Sequence, residues 1–445
     1  MLFFINYLLN LQEIIVLRQL QKIDVSDIKK FKVQLLEWSQ KFKEVVWLDS
    51  NHCRQTYSNF DAVLAVDAFS YIKSDFRQAF EQLKAYQQTT KDWIFGYLSY
   101  DLKNNLEDLK SANFDGLGFP DLFFFQPKKI FFIRGNEVTI QYLNGSSDEI
   151  ELDLDQIKRQ QVAALEENKQ PLEIQPRITK AHYIELVNQL KSHIQRGDIY
   201  EANLCQEFYA NGSIKPLRAF KHLQSLSAPP FAVFFKNKSQ FLLSASPERY
   251  LKKEGDLLIS QPKETAAPRS EDALEDAVLK QSLLANPKER SENVMIVDLV
   301  RNDLSRIAKK GSVEVQELHG IYTFKQVHHL ISTIKAELRP GISAVDAIKA
   351  SYPMGSMTGA PKISAMKIIE NLELTKRGLY SGAVGYFTPD GNFDFNVVIR
   401  SILYNAEMSY ISFSVGSAIT AKSLAYSEYE ECLVKAKALR VVLEN

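Results

Sequence analysis

The chain is poor in cysteine, with three in 445 residues: Cys53, Cys205 and Cys432. They lie far apart, form no C-x-x-C pair and have no histidine at ligand spacing, which excludes a zinc module and a disulfide framework. A reducing cytoplasm is the expected compartment. Charge of one sign is also lacking, because 54 Lys and Arg balance 54 Asp and Glu. No net field draws the chain to nucleic acid or an anionic membrane, and a small-molecule substrate fits better. Long apolar runs are missing as well. The nearest, MLFFINYLLNLQEII at the N-terminus, is too short to span a bilayer. Asn6 and Asn10 interrupt it, the first basic residue is Arg18, and no small-residue cleavage site follows. It therefore reads as the first strand of a soluble domain. No repeat of fixed period appears, which excludes a solenoid or propeller.

The chain does have ample core material, 45% hydrophobic residues, and a length that suggests two or three domains. Residues 1–145 alternate short helices with strand-like runs. Ser26 is placed to cap a helix through Lys41, VVWLDS and AVLAVDA read as strands, and Asp75 to Gln87 as an amphipathic helix. WIFGYLSYDL and the aromatic runs LFFFQ and KIFFIRG read as sheet. Residues 146–177 turn polar and end in prolines, the composition of a connecting segment. Residues 178–445 form the second domain. There Lys180 to Arg196 has the helical period with Gly197 placed to end it. Further helices are expected over Ala273–Leu284, Glu289–Asp303 and Ala344–Ala350. PFAVFFK, QFLLSAS, DLLISQP, GAVGYFT, FNVVIRSILYN and MSYISFSVG read as strands.

Chemistry concentrates in the second domain. Glu289 with Glu292, and Glu428 with Glu431, are glutamate pairs three residues apart on expected helices, a spacing that sets each pair on one face. A solvated helix face is the ordinary meaning of one such pair. Two brought together would form an oxygen-rich acidic site suited to Mg²⁺ bridging to an anionic substrate. PMGSMTGAPK, residues 353–362, reads as a glycine-containing loop entering a helix, where backbone N–H groups can bind a carboxylate. Glu248, in SPER, follows a strand and a proline. Arg400 ends the FNVVIR run and Gly416 the FSVG run.

In this order the runs GDIYEANLCQEF, SASPERYL, SENVMIVDLVRNDLSR, GSVEV, HHLIST, GSMTGAPK, RGLYSGAVGY, FNVVIRS and EYEECLVKAKAL resemble the chorismate-utilising enzymes. That family includes anthranilate, aminodeoxychorismate, isochorismate and salicylate synthases. The resemblance covers roughly Ile178 to Leu439 and implies an α+β fold, with large antiparallel sheets wrapped by helices around a central cleft. It implies Glu292 and Glu431 as leading Mg²⁺ ligands, with Glu289 and Glu428 acting directly or through water. It further implies Glu248 as general acid for the departing C4 hydroxyl, His329 as the active-site histidine, and Thr358, Tyr380, Arg400, the Gly416 backbone and Lys435 as holders of the chorismate carboxylates.

Family members differ in the nucleophile they add. The isochorismate and salicylate synthases resemble one another in carrying a water-activating lysine just after the tyrosine of G-D-x-Y. This chain has Glu201 there, which favours ammonia over water. For C4 amination the family pattern is P-I-K-G-T, whose lysine attacks C2 first. Here PKETAAPR, Pro262 to Arg269, sets Glu264 at the lysine position in an ungapped match, and only a one-residue shift offers Lys263. On a regular strand such a shift turns side chains to the other face. The Gly416-Ser417-Ala418 run also departs from the family's glycine-rich pattern. The expected activity is that of aminodeoxychorismate synthase component I: chorismate and ammonia to 4-amino-4-deoxychorismate, toward p-aminobenzoate and folate. C2 amination, as in anthranilate synthase component I, and chorismate binding with weak catalysis remain alternatives. None of the cysteines sits in a G-x-C-x-G turn, so ammonia would come from a separate glutamine amidotransferase subunit.

Overall fold

The computed structural model describes residues 18–51, 53, 56–161, 171–270, 272–323 and 327–444, without the side chains of 264–268, 288, 289 and 327. The strand expected over the first fifteen residues lies outside the described residues. Two long strands, Ala62–Ser74 and Leu122–Arg134, pair along their lengths and carry the chain from one sheet into another. In the first sheet the order is Arg18–Asp24, Glu137–Leu143, the two long strands, Glu44–Asp49, Phe231–Asn237, Gln240–Ser246, Ser401–Asn405, Tyr410–Thr420 and Glu201–Asn211. In the second, the long strands are followed by Ile94–Leu98, Ala383–Phe387, Phe393–Val397, Arg249–Glu254, Leu257–Gln261 and Val327–Glu337. Lys263–Pro268 and Glu314–Thr323 flank the last of these strands. All these ladders are antiparallel.

Burial sorts the molecule into four layers. Val46, Ala65, Tyr97, Phe123, Phe235 and Val384 fill the space between the sheets. On the outer face of the first sheet, Trp47, Phe131, Phe208 and Phe413 pack beneath the helices Ile28–Trp38, Ile150–Lys158, Lys180–Arg196, Pro216–Ser227 and Ala425–Glu444. On the outer face of the second, Phe124, Leu251, Ile334 and Phe395 pack beneath Ala79–Thr90, Pro287–Ser305 and Ala344–Ser351. Each such large apolar side chain contributes about 1.5–3 kcal/mol by leaving water. The α+β architecture expected from the sequence is present. Among the described residues no helix is long and apolar enough to cross a membrane.

Several local expectations are refined or corrected. LFFFQ and KIFFIRG form one strand through Pro127, which stands opposite Ala68 where the partner strand is irregular. A residue lacking an N–H is tolerated at such a break. Asp27, not Ser26, caps the first helix, accepting from the Lys30 N–H at 3.0 Å. Asp75 instead closes a turn onto the Arg77 N–H at 2.8 Å, and its helix begins only at Ala79. FNVVIRSILYN breaks into two strands at Arg400, whose φ of 52° is left-handed. Within 146–177, the acidic run is the helix Ile150–Lys158, with Ile150, Leu154 and Ile157 buried as a helical stripe. Lys180–Arg196 ends at Gly197, φ 84°, as its spacing predicts.

Candidate active site

Where the sheets part beside the C-terminal helix, a cavity of about 630 Å³ opens, within the range of small-molecule sites. One wall is the strand pair Glu201–Asn211 and Tyr410–Thr420, which supplies Glu201, Asn203, Gly416 and Ser417. The C-terminal helix supplies Glu431 and Lys435, one turn apart on one face. The opposite wall carries Lys263 and His329 from the second sheet and Glu292 from the helix Pro287–Ser305. Glu248, Ser356, Tyr380 and Arg400 complete it from turns and strand ends.

Glu248 sits in the turn between the strands Gln240–Ser246 and Arg249–Glu254, and only 3% of it is exposed. Its N–H donates to Ser246 Oγ, its carbonyl accepts from the Val397 N–H at 3.1 Å, and its carboxyl accepts from Ser356 Oγ at 2.6 Å. Burial pushes the carboxyl up to about 7, while the Ser356 hydroxyl and then the charge and N–H of Lys263 pull it down. A carboxyl balanced there is suited to proton delivery near neutral pH.

Lys263 lies opposite Ile331, but Ala266 lies opposite His329, so three steps on one strand match two on the other. This is a β-bulge, which absorbs one extra residue. Such a bulge is compatible with the one-residue shift that a regular strand forbids. Lys263 lines the cavity on the same wall as His329. Alternation turns the neighbouring His328 away, to accept or donate with Thr323 Oγ1 and Asp276 Oδ1, each at 2.9 Å.

At the carboxylate-holding side, Lys435 Nζ donates to the Gly416 carbonyl at 2.9 Å and pairs with Glu431 at 2.6 Å. Arg400 reaches the Lys435 carbonyl. Gly416 stands opposite Cys205, and a Cβ there would lie 2.3 Å from Asn203 Oδ1 and 2.7 Å from Cys205 Sγ, so a side chain does not fit. Tyr380 is buried, and burial holds its phenol well above the ordinary range.

Two expected site residues stand apart. Thr358 is fully buried, and its hydroxyl donates within its own loop to the Met354 and Gly355 carbonyls. Its neighbours Ser356 and Met357 face the cavity instead. Glu428 is buried behind the wall, where Ser417 Oγ donates to it. The serine that departs from the family's glycine run is therefore a ligand of the second glutamate pair. The side chain of Glu289 lies outside the described residues. Asn203 and Ser356 lie within the runs GDIYEANLCQEF and GSMTGAPK, at positions to which the resemblance assigns no role. Asn203 donates to the Ser356 carbonyl at 3.0 Å, tying the two motifs together.

The donors fit a hard divalent cation in kind, since Glu292 and Glu431 both face the cavity and Glu428 stands just behind. Among the described residues no three acidic, histidine or cysteine side chains already converge on one point. Glu431 holds Lys435 instead.

Residues 43–441 match the family model for chorismate binding enzyme. The chain belongs to that family. The chorismate binding enzyme relatives include the "anthranilate synthase component I-like protein" of Synechocystis sp., 35% identical over 79% of this chain and 73% of the relative. The "aminodeoxychorismate synthase component 1" of Bacillus subtilis is 33% identical over 78% and 76%. Among solved structures, anthranilate synthase component I from Streptococcus pneumoniae TIGR4 superposes with a TM-score of 0.75 at 26% identity, covering 87% of this chain and 93% of that one.

Proposed function

We propose that this chorismate binding enzyme is the amination component of aminodeoxychorismate synthase, converting chorismate and ammonia to 4-amino-4-deoxychorismate. The observation that carries this reading is Lys263, lining the cavity beside Glu248 on a strand whose bulge accommodates the displaced lysine. The named relatives of both kinds support amination of chorismate, and the lysine favours C4.

Arg400, Lys435 and the Gly416 backbone bind and orient the substrate carboxylates. Glu248 delivers its proton to the C4 hydroxyl as it leaves, and Lys263 attacks C2, with ammonia entering at C4 to expel the lysine by return of the ring electrons. His329 lines the same wall and orients the ring. Glu292 and Glu431, with Glu289 and Glu428, would hold Mg²⁺. When bound, the ion lowers the cost of negative charge on the ring and its carboxylate. Ammonia is supplied by a separate glutamine amidotransferase subunit, and the product leads toward p-aminobenzoate and folate in the cytoplasm.

The test is turnover by the purified chain with chorismate, Mg²⁺ and ammonium. The expected result is an aminated product whose formation needs all three and is lost in Lys263→Ala. Chorismate consumption without nitrogen incorporation would overturn the reading.

A further inference from the structure

Glu201 heads the strand Glu201–Asn211 and is 3% exposed. It faces the cavity, yet its Oε2 has no hydrogen-bond partner among the described residues. Leaving a buried polar atom unsatisfied costs about 1–3 kcal/mol, and more for a charge. The Glu292 carboxylate acts on it as a like charge. Three of the cavity's cations are engaged elsewhere. Lys435 holds Glu431 and the Gly416 carbonyl, Lys263 acts on Glu248, and Arg400 reaches the Lys435 carbonyl.

A carboxylate aimed into a cavity that takes a dianion would repel the substrate unless a small cation stood between them. Mg²⁺ asks for near-octahedral oxygen donors, which the Glu201 carboxylate alone does not provide. Ammonium asks less, since each of its N–H groups seeks one acceptor, and a charged acceptor is favoured. Resting on the amination reading above, we propose that Glu201 binds the nitrogen source, holding ammonium in the cavity by a charge-assisted hydrogen bond to its carboxylate; one proton passes from ammonium to that carboxylate, leaving ammonia whose lone pair attacks C4.

The experiment is initial-rate kinetics of the full chain, with ammonium chloride as nitrogen source, for wild type, Glu201→Gln and Glu201→Asp. Mg²⁺ affinity is measured in parallel by titration calorimetry. Glu201→Gln removes the charge and keeps the shape, so KM for ammonium should rise about 10- to 100-fold, the worth of a charge-assisted bond. KM for chorismate and the Mg²⁺ Kd should stay within twofold. Glu201→Asp keeps the charge and should show a smaller rise in the same constant, which carries the test should the amide variant fail to fold. An unchanged KM for ammonium in the variants overturns the proposal. So does a loss confined to Mg²⁺ affinity, which would make Glu201 a metal ligand. Wild-type protein that forms no aminated product at any ammonium concentration would refute the amination reading instead.

Discussion

Ser356 donates its hydroxyl proton to the Glu248 carboxyl at 2.6 Å, joining two motifs that lie 108 residues apart. The bond favours the ionised carboxylate and so opposes the effect of burial, which raises Glu248 to about 7. Glu248 must be protonated to act as an acid, so activity is present below its pKa and falls as pH rises through it. The expected kcat/KM for chorismate, taken at constant free ammonia, therefore has an alkaline limb near pH 7. Ser356→Ala removes the bond and should move that limb to higher pH. A limb that stays in place in the variant would separate Glu248 from the proton step.

Glu248→Gln cannot deliver a proton. Chorismate binding, followed by calorimetry, should persist while kcat falls about 10²- to 10⁴-fold, the usual worth of a general acid. A loss seen only in binding would assign Glu248 to substrate positioning.

Glu292→Gln and Glu431→Gln should each abolish Mg²⁺-dependent turnover with the fold intact by circular dichroism, because each helix alone offers too few oxygens for the ion. Full activity of either variant at saturating Mg²⁺ and chorismate would contradict the shared metal site.

Burial of Glu201 also has a stability consequence. Its folded value of about 8 exceeds the ordinary 4.5, so the folded state binds a proton that the unfolded state has lost between those values. The associated stability is fully present below pH 4.5 and is lost as pH rises to about 8, at about 1.4 kcal/mol per pH unit. In metal-free protein, Glu201→Gln should raise Tm relative to wild type far more at pH 8 than at pH 4.5. Equal Tm differences at the two values would contradict the assignment.

Gly416→Ala places a methyl against Asn203 and Cys205. Overpacking of this kind costs about 1–3 kcal/mol. A lowered Tm with weakened chorismate binding is expected, and unchanged stability would show that the strand pair yields.

Much of this was legible in the sequence because it depends on neighbours in the chain. The helix Lys180–Arg196 and its Gly197 end follow from periodicity and from a glycine in left-handed geometry. The glutamates, Glu248 and His329 stand in recognisable runs. What was not legible depends on partners far away. No local pattern shows that Thr358 turns its hydroxyl inward while Ser356 faces the cavity, because a 3-10 turn over Gly355–Met357 reverses the alternation. Nor does one show that Pro127 continues a strand, since the irregularity that admits it lies opposite, beside Ala68. The displaced lysine is the clearest case. Its meaning rests on a bulge against the strand Val327–Glu337, and a bulge is a property of the pair.

The central claim is amination at C4, and the position of nitrogen in the product tests it most directly. Purified chain, chorismate, Mg²⁺ and ¹⁵N-ammonium are incubated, and the small-molecule product is identified by mass spectrometry and nitrogen–carbon coupling. The expected product is 4-amino-4-deoxychorismate, with ¹⁵N on C4 and the enolpyruvyl group retained. Anthranilate with released pyruvate would show attack at C2, and isochorismate would show that water had been admitted past Glu201; either would contradict the claim.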